Sequence, residues 1–243
     1  MMSSISIVTA AFNECPGIIS LIQEWIAYGE KHPQIEALEV IVCDDYSANE
    51  QYEQLCQAFA NNPQVKILRN AQNEGPGYSF TKAIGQASHR WTLITDSDGQ
   101  FPIQNLDAII PALWQSQDEI AFTFRTRKFD NALNRFGQKV SNWLCNSIFG
   151  SNLKDFSCAF KLVKTDLLQG LRFDARYMNY SLDHSGKLLS SESTFQEFQV
   201  ICKPSPARKR PLKAEYLRAR NRFLYIVYLF FSVYLRKKRV IFS

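Results

Sequence analysis

The chain of 243 residues contains 46% hydrophobic and 21% charged residues, which excludes an intrinsically disordered protein and suits one globular domain of ordinary size. Its formal net charge is +5, but this charge is unevenly distributed. Residues 203–243 hold 12 Lys and Arg against one acidic residue and carry +11, whereas the preceding residues carry −6. A basic tail on an acidic body predicts that the tail contacts an anionic partner, either nucleic acid or phospholipid.

The cysteines and the first residues indicate the cellular compartment. Six cysteines are scattered without a Cys-x-x-Cys pair or a His/Cys cluster at zinc-ligand spacing, so we do not expect a structural zinc site. A strand-like run begins at Ile5, without the basic and apolar regions of a secretory signal. We therefore expect a cytoplasmic protein with free thiols.

Short runs rich in Val and Ile alternate with segments of helical period in the first half of the chain. The predicted strands are residues 5–10, 38–43, 65–68, 91–95 and 119–124. A helix that begins at Pro16 is predicted to present an apolar face made of Ile18, Leu21, Ile22, Trp25 and Ile26. This alternation predicts an α/β fold: a mostly parallel sheet with helices on both faces, whose ligands bind outside the carboxyl ends of the strands.

Polar residues follow four of the predicted strands. They are Asn13 with Glu14, Asp44 with Asp45, the segment 73–75, and Asp96 with Asp98. Because parallel strands end at one edge of a sheet, we expect these four clusters to converge. Neither a GxxxxGK[ST] loop nor a complete GxGxxG occurs, so a P-loop or dinucleotide site is not expected.

Asp96 and Asp98 are separated by one small residue and follow a buried strand. This spacing brings both carboxylates within reach of one hard divalent cation, and Mg²⁺ or Mn²⁺ keeps open positions for substrate phosphates. A DxD alone is more often a solvated turn. Here the DxD follows a predicted strand, and Asp44 and Asp45 follow an earlier predicted strand in the equivalent position, which favours a site for a metal ion and a diphosphate. Gln100 extends this polar cluster.

Residues 131–149 have helical spacing. The apolar positions that predict one buried stripe are Leu133, Phe136, Val140, Leu144 and Ile148. Arg135 and Lys139 would then share another face. Judged on these residues alone, that face is a solvated basic surface.

A run of apolar and aromatic residues, 223–235, lies between basic clusters near the C-terminus. As a helix it covers roughly 20 Å, short of the ~30 Å hydrocarbon core. We predict that residues 211–243 form a membrane-interface tail behind a domain of residues 1–210, with Tyr225, Tyr228 and Tyr234 presenting polar tips. One alternative is a C-terminal helix docked on the body. The other is nucleic-acid binding, and we do not expect this second alternative because a long aromatic and aliphatic run is poorly suited to binding along a phosphate backbone.

Four motifs carry a family resemblance. IVTAAFNE, EVIVCDDYSAN, NEGPG and TDSDGQFP, in this order and spacing, resemble the nucleotide-sugar domain of family 2 glycosyltransferases with the GT-A fold. The stretch from Arg125 through DFSCAFK resembles the branch that includes dolichyl-phosphate mannosyltransferase and bacterial polyprenyl-phosphate glycosyltransferases. The resemblance covers roughly residues 5–210.

The resemblance implies roles at the donor end. The base and ribose of a UDP- or GDP-sugar would be held around Ala10, Asn13, Glu14 and Asp45. Asp96 and Asp98 would bind the metal, Mg²⁺ or Mn²⁺, and the donor diphosphate, with Gln100 as a neighbouring ligand.

At the acceptor end, the resemblance implies that Arg125 and Arg135, helped by Arg127, bind the phosphate of a polyprenyl phosphate at the inner membrane face, with inversion at the anomeric carbon. Arg125, Arg135 and Asp98 would be the catalytic residues. A lipid phosphate is already deprotonated near neutral pH, so its attack needs no strong general base. Asp155 is interpreted as a residue that orients a basic side chain or the loop.

The match departs from the family at two positions after the paired aspartates: Tyr46 replaces a small residue, and Asn49 replaces an acidic one. Asp183 is the nearest acidic residue where the branch has one near the acceptor, and we expect His184 on a surface or loop. Two alternatives stay open. One is transfer to a glycan or other hydroxyl acceptor with Asp183 as the base; the other is a non-catalytic nucleotide-sugar-binding protein.

Overall fold

The computed structural model describes residues 2–126, 132–174, 179–204, 217 and 220–232, and the side chains of residues 132–134 are not among those described. The predictions for Arg127, for Leu133 and Tyr234, and for most of the tail 211–243 therefore lie outside the described part of the chain.

Seven described strands form one sheet. They are β1 (Ser3–Ala11), β2 (Ile35–Asp44), β3 (Val65–Arg69), β4 (Trp91–Ile94), β5 (Ile120–Arg125), β6 (Lys161–Lys164) and β7 (Phe195–Val200). Their order is β3-β2-β1-β4-β6-β5-β7. All pairs are parallel except those of β6, which runs antiparallel to both β4 and β5. The expected mostly parallel sheet is confirmed.

The five strands predicted from the sequence are all present, with boundaries that differ by at most three residues. β6 and β7 were not predicted. β6 has four residues and is bounded by Lys161 and Lys164, whereas β7 is a polar edge strand, so neither has the apolar run that marks the other strands.

Helices cover both faces of the sheet, as expected. They are α1 (Gly17–Lys31), α2 (Gln51–Ala58), α3 (Pro76–Ile84), α4 (Leu106–Gln115), α5 (Ala132–Phe149), α6 (Thr165–Gln169) and α7 (Tyr180–Leu189), with a 3₁₀ turn at Ile103–Asn105. Successive strand residues point to opposite faces, so Ile7 joins the core under α1 and α4 while Val8 joins the core under α3 and α7.

The helix predicted after Pro16 is confirmed as α1. Ile18, Ile22, Trp25 and Ile26 are buried against the sheet, and Leu21 is partly buried. The apolar positions recur every three or four residues, so one stripe of this helix faces the core. α1 thereby covers one face of the sheet beside the loop that follows β1.

The buried stripe predicted for α5 is wrong at Phe136 and Val140, whereas Leu144 and Ile148 pack partly against the core. Phe136 is 66% exposed and Val140 is 40% exposed, whereas Ser141 and Cys145 are buried. Leu144 and Ile148 are only partly buried. Helical period identifies an apolar face, but α5 packs on the body through the neighbouring face, and the apolar side chains at its first half project into solvent.

Residues 220–232 form a C-terminal helix that is buried on one side only. Ile226 and Leu229 are buried, and the hydroxyl of Tyr228 donates to Asp174 at 3.1 Å. Tyr225 is partly buried against the body, whereas Tyr228 is 46% exposed and contacts the body through its hydroxyl. The other side exposes Phe223, Leu224, Phe230 and Phe231. Within the described ranges, no helix combines the length and apolarity needed to cross a membrane.

Gly186 allows α7 to pack closely against α5. A Cβ at this position would lie 2.7 Å from Cζ of Phe149, whose ring stacks on Phe156. We expect Gly186→Ala to lower the free energy of unfolding by about 1–3 kcal/mol, because the ring has to move. Urea unfolding measures this change.

Gly137→Ala is the matched control, since nothing lies within 4 Å of a Cβ at Gly137 on exposed α5. There the alanine should stabilise the helix by about 0.5–1 kcal/mol. Equal effects of the two substitutions would contradict the close approach of α7 to α5.

Candidate active site at the carboxyl ends of the strands

The loops after β1 and β2 are joined by hydrogen bonds. The amide of Asp45 donates to the carbonyl of Ala11 at 2.9 Å, and the amide of Asn13 donates to Oγ of Ser47 at 3.0 Å. The amide of Glu14 donates to Oε1 of Gln51 at 2.5 Å. The polar residues of the first two strand ends therefore form one connected edge, as expected from the fold.

The carboxylate of Asp45 holds the loop that follows β3. It accepts hydrogen bonds from the amides of Glu74 and Gly75, both at 2.9 Å, and from Nδ2 of Asn70 at 2.8 Å. Gly75 has a φ of 88° and precedes α3, so its left-handed backbone suits glycine. Asp45 is 3% exposed, and its oxygens fix the position of this loop.

Asp96 and Asp98 lie directly after β4, next to the end of β1. Oγ of Ser97 donates to the carbonyl of Ala10 at 2.9 Å and ties the two strand ends together. Asp96 accepts a hydrogen bond from the hydroxyl of Tyr180, and Oδ1 of Asp98 accepts one from the amide of Gln100 at 3.0 Å. Each carboxylate thus has one oxygen fixed by the protein.

Negative charge is crowded at this edge. Loss of solvation, followed by the charges of Asp96 and Glu14, raises the pKa of Asp98 to about 6. Burial raises the pKa of Asp96 as well, although Tyr180, Arg125 and Lys161 oppose the shift. Among the described residues there is no group of three or more His, Cys, Asp or Glu that would hold a metal ion, so these two carboxylates would hold one only together with further ligands.

Asn13 and Gln100, which are also predicted at the donor end, differ in how their side chains are held. Oδ1 of Asn13 accepts from the amide of Ala48 at 3.1 Å, so its side chain joins the β1 and β2 loops. Gln100 has its amide on Asp98, but its side-chain oxygen lies 4.0 Å from Sγ of Cys202. In this structure Gln100 therefore contacts the acidic pair through its backbone.

Arg125, at the end of β5, forms an ion pair with Asp155. Its Nε lies 2.8 Å from Oδ2, and its guanidinium also donates to Ser157. Burial works against the charge of Arg125, but Asp155 more than offsets it, and the pKa of the guanidinium stays above its ordinary value. The expectation that Asp155 orients a basic side chain is confirmed.

A cleft of about 440 Å³ opens beside Arg125. Its lining includes four cationic side chains, Arg125, Arg135, Lys139 and Lys154, together with Trp143 of α5. Arg135 and Lys139 do share one side of α5, as predicted, and both are exposed. The structure therefore brings Arg125 and Arg135 together at one cavity. Arg125 also connects this cleft to the acidic pair, because its charge acts on Asp96.

Two residues of this site were not predicted as site residues. Tyr180 on α7 stacks on Phe80 and donates to Asp96, and a single tyrosine in a helix gives no sequence signal for that role. Lys161 is 1% exposed, donates to Oγ of Ser181 at 3.0 Å, and has its pKa lowered to about 8, first by burial. In the sequence, the position of Lys161 at the end of the DFSCAFK motif was the one signal that could have identified it as a site residue.

The surroundings of Asp183 and His184 differ from those expected. Asp183 is fully buried, accepts from the amide of Asp174 at 2.6 Å, and lies beside Tyr225 of the C-terminal helix. His184 was expected on a surface or loop, but it is 1% exposed within α7, among the rings of Phe80, Phe173 and Tyr180. α7 packs against α3 and α5, and the C-terminal helix lies beside Asp183 through Tyr225, so both side chains are enclosed.

Comparison with known proteins identifies related sequences. The profile of Glycosyl transferase family 2 matches residues 6–172. Succinoglycan biosynthesis protein ExoO of Rhizobium meliloti is 31% identical over 94 residues, or 39% of this chain and 25% of that protein. Glycosyltransferase AglD of Haloferax volcanii is 22% identical over 219 residues, or 88% of this chain and 35% of that protein. The chain thus spans about a quarter and about a third of these relatives.

Solved structures share the fold. The crystal structure of glucosyl-3-phosphoglycerate synthase from Mycobacterium tuberculosis in complex with Mn²⁺, UDP and phosphoglyceric acid has a TM-score of 0.71 and 14% identity, over 94% of this chain and 78% of that chain. At this identity the likeness establishes the fold, and the expected GT-A architecture is confirmed.

The burial of His184 predicts a loss of stability in mild acid. Burial, followed by the charge of Lys161, lowers the pKa of this imidazole to about 3. The unfolded chain takes up the proton below about pH 6.5 and the folded chain does not, so stability falls as the pH decreases through this range. We expect a loss of about 2 kcal/mol between pH 7 and pH 5 from this residue.

Urea unfolding of the wild type and of His184→Phe at both pH values measures this contribution. The variant keeps an aromatic ring among Phe80, Phe173 and Tyr180 and should lose less stability than the wild type on acidification. An equal loss in both proteins would contradict the neutral buried imidazole.

Proposed function

Because this chain belongs to glycosyl transferase family 2, we propose that it transfers a sugar from a UDP- or GDP-sugar to a polyprenyl phosphate at a membrane surface. The observation that carries the proposal is the position of Arg125. This residue lines the cationic cleft, and its charge also acts on Asp96 of the acidic pair. A site for a nucleotide diphosphate and a site for a second phosphate thereby meet at one side chain.

The acidic pair suits a divalent cation. Asp96 and Asp98 each have one oxygen fixed by a protein donor. Burial, followed by the charges of Asp96 and Glu14, raises the pKa of Asp98 to about 6, and a bound cation would relieve this unfavourable negative charge. Mg²⁺ or Mn²⁺ accepts two carboxylates and takes its other ligands from phosphates and water. When bound, such an ion neutralises the diphosphate of the donor. Tyr180 keeps Asp96 oriented towards this position.

The cleft suits the acceptor phosphate. Arg125 is held by Asp155, so its fork is pre-oriented, while exposed Arg135 and Lys139 close the cavity from α5. Arginine keeps its charge and binds phosphate oxygens in bidentate fashion. The protein contributes positioning and charge neutralisation, which bring two anions together at the anomeric carbon.

The burial of Asp183 argues against the hydroxyl-acceptor alternative. A hydroxyl acceptor needs a base within hydrogen-bond reach of its proton. Asp183 is fully buried beside Tyr225 and is not among the residues that line the cleft. A phosphate acceptor has no such requirement, because its attacking oxygen is already ionised near neutral pH.

Exposed apolar side chains favour a lipid-linked acceptor and a membrane surface. Trp143 lines the cleft and is 66% exposed, and Phe136 is exposed on the same helix. The C-terminal helix exposes Phe230 and Phe231 on the side that faces away from the body. Contiguous exposed aromatic side chains near cations are typical of a surface that contacts lipid headgroups and chains. Nucleic acid is a poorer match for so apolar a surface.

A transfer assay tests the proposal. Purified protein with Mn²⁺, a panel of UDP- and GDP-sugars and a short polyprenyl phosphate should move label from one donor into the organic phase. Asp98→Ala should lower the transfer of label about 100-fold or more, because the divalent cation that would neutralise the donor diphosphate loses one of its two carboxylate ligands. Urea unfolding of the variant shows whether it remains folded.

The other outcomes separate the alternatives. Label that enters 3-phosphoglycerate but not the lipid would identify a small phosphorylated acceptor and refute the polyprenyl one. Binding of a nucleotide sugar without transfer to any acceptor would support a non-catalytic binding protein and refute the enzyme.

Arg135 gives the cleanest test of the acceptor cleft. Loss of Arg125 would remove the partly buried ion pair with Asp155, so that variant confounds binding with folding. Arg135→Ala should raise the KM for polyprenyl phosphate about tenfold or more, with the KM for the donor unchanged, because one charge-assisted contact is lost.

Arg172→Ala is the matched control, since the Arg172 side chain is 93% exposed and lies outside the cleft lining. Its KM for the acceptor should stay at the wild-type value. If both variants shift equally, the cleft is not the phosphate site.

A further inference from the structure

Tyr46 has an unusual backbone conformation at the edge where the donor is proposed to bind. Its φ is 62°, in the left-handed region that glycine adopts freely and bulky residues rarely adopt. Its side chain is nevertheless 51% exposed, so burial of the ring does not explain why a tyrosine occupies this position. Strained residues of this kind persist where the surrounding structure fixes them, and they cluster at ligand sites.

The ring of Tyr46 is supported from one side. The guanidinium of Arg69 lies over the ring at 5.5 Å from its centroid and over the ring of Tyr52 at 5.0 Å. Arg69 is itself fixed by Glu53, 2.7 Å away, and by Asp44, 3.7 Å away. The cation–π contact covers one face of the Tyr46 ring and orients it. The exposed half of the side chain remains available to a ligand.

Tyr46 also lies beside the end of β1. The amide of Asp45 donates to Ala11 and the amide of Asn13 donates to Ser47, so Phe12 and Tyr46 are the residues enclosed between these two hydrogen bonds. Phe12 is 47% exposed as well. Two exposed aromatic residues thus stand together at the loops after β1 and β2, on the same strand-end edge as Asp96 and Asp98.

We propose that Tyr46 is a donor-binding residue that stacks on the nucleobase of the nucleotide sugar. Nucleobases are flat π systems, and stacking on an aromatic side chain stabilises them without requiring a particular hydrogen-bond pattern. The Arg69 support pre-orients the ring, which lowers the entropy lost when the base binds. This inference rests on the proposed function, because it needs a nucleotide donor.

Isothermal titration of UDP, GDP and pyrophosphate, each with Mn²⁺, tests the inference. Tyr46→Gly relieves the strained φ and removes the ring, so its thermal midpoint should match or exceed that of the wild type. The nucleoside diphosphate that binds the wild type should bind this variant about tenfold more weakly, whereas pyrophosphate, which has no base, should bind both equally. Tyr46→Phe keeps the ring and should retain most of the affinity.

Glu50→Gly is the matched control. Glu50 also has a left-handed φ, 56°, and precedes α2, but it has no ring. Its substitution should leave the affinities for nucleoside diphosphate and pyrophosphate unchanged. A ring-specific effect therefore separates stacking from a general change in the loop.

The remaining outcomes overturn the inference in distinguishable ways. Equal affinity of wild type and Tyr46→Gly for UDP or GDP would refute stacking and leave the proposed transferase intact. Weaker binding of pyrophosphate as well would show that Tyr46 acts through the loop and not on the base. Failure of the wild type to bind either nucleoside diphosphate would remove both the proposed function and this inference.

Discussion

The crowding of negative charge at the end of β4 is the constraint on which the candidate site depends. Asp96 and Asp98 lie two residues apart near Glu14. Burial raises the pKa of both aspartates, and the charges of Asp96 and Glu14 raise the pKa of Asp98 further. Such an arrangement is stable only with nearby compensation, which a hydrogen bond from Tyr180 and the charges of Arg125 and Lys161 supply. These compensating groups come from α7, β5 and β6, so the second half of the chain completes an edge that the first half begins.

The antiparallel strand β6 makes that compensation possible. It inserts between β4 and β5 and pairs Ile94 with Lys161, which brings a buried lysine next to the strand end that carries the aspartates. Arg125 at the end of β5 then lies close enough to act on Asp96, while Asp155 keeps its guanidinium in place. One ion pair thereby fixes the boundary between the acidic edge and the cationic cleft.

The peripheral helices have apolar faces that the described body does not cover. α5 exposes Phe136 and Trp143 beside the cleft, and the C-terminal helix buries Ile226 and Leu229 while exposing Phe230 and Phe231. The same helix thus docks on the body and retains an apolar outer side. The alternative of a docked helix describes the buried side of this element, whereas the proposed membrane surface would use its exposed side, since a helix is able to bury one face and present the other.

The sequence by itself determined the elements whose signals are local. Runs of Val and Ile marked β1 to β5, and the polar residues after them identified the converging edge, because strand ends in a parallel sheet share one side. Tertiary packing alone settles which face of α5 is buried, that Asp183 and His184 are enclosed, and that Tyr180 donates to Asp96 while the charge of Lys161 acts on it. Those outcomes depend on which distant segments pack together, and periodicity within one segment carries no information about its neighbours.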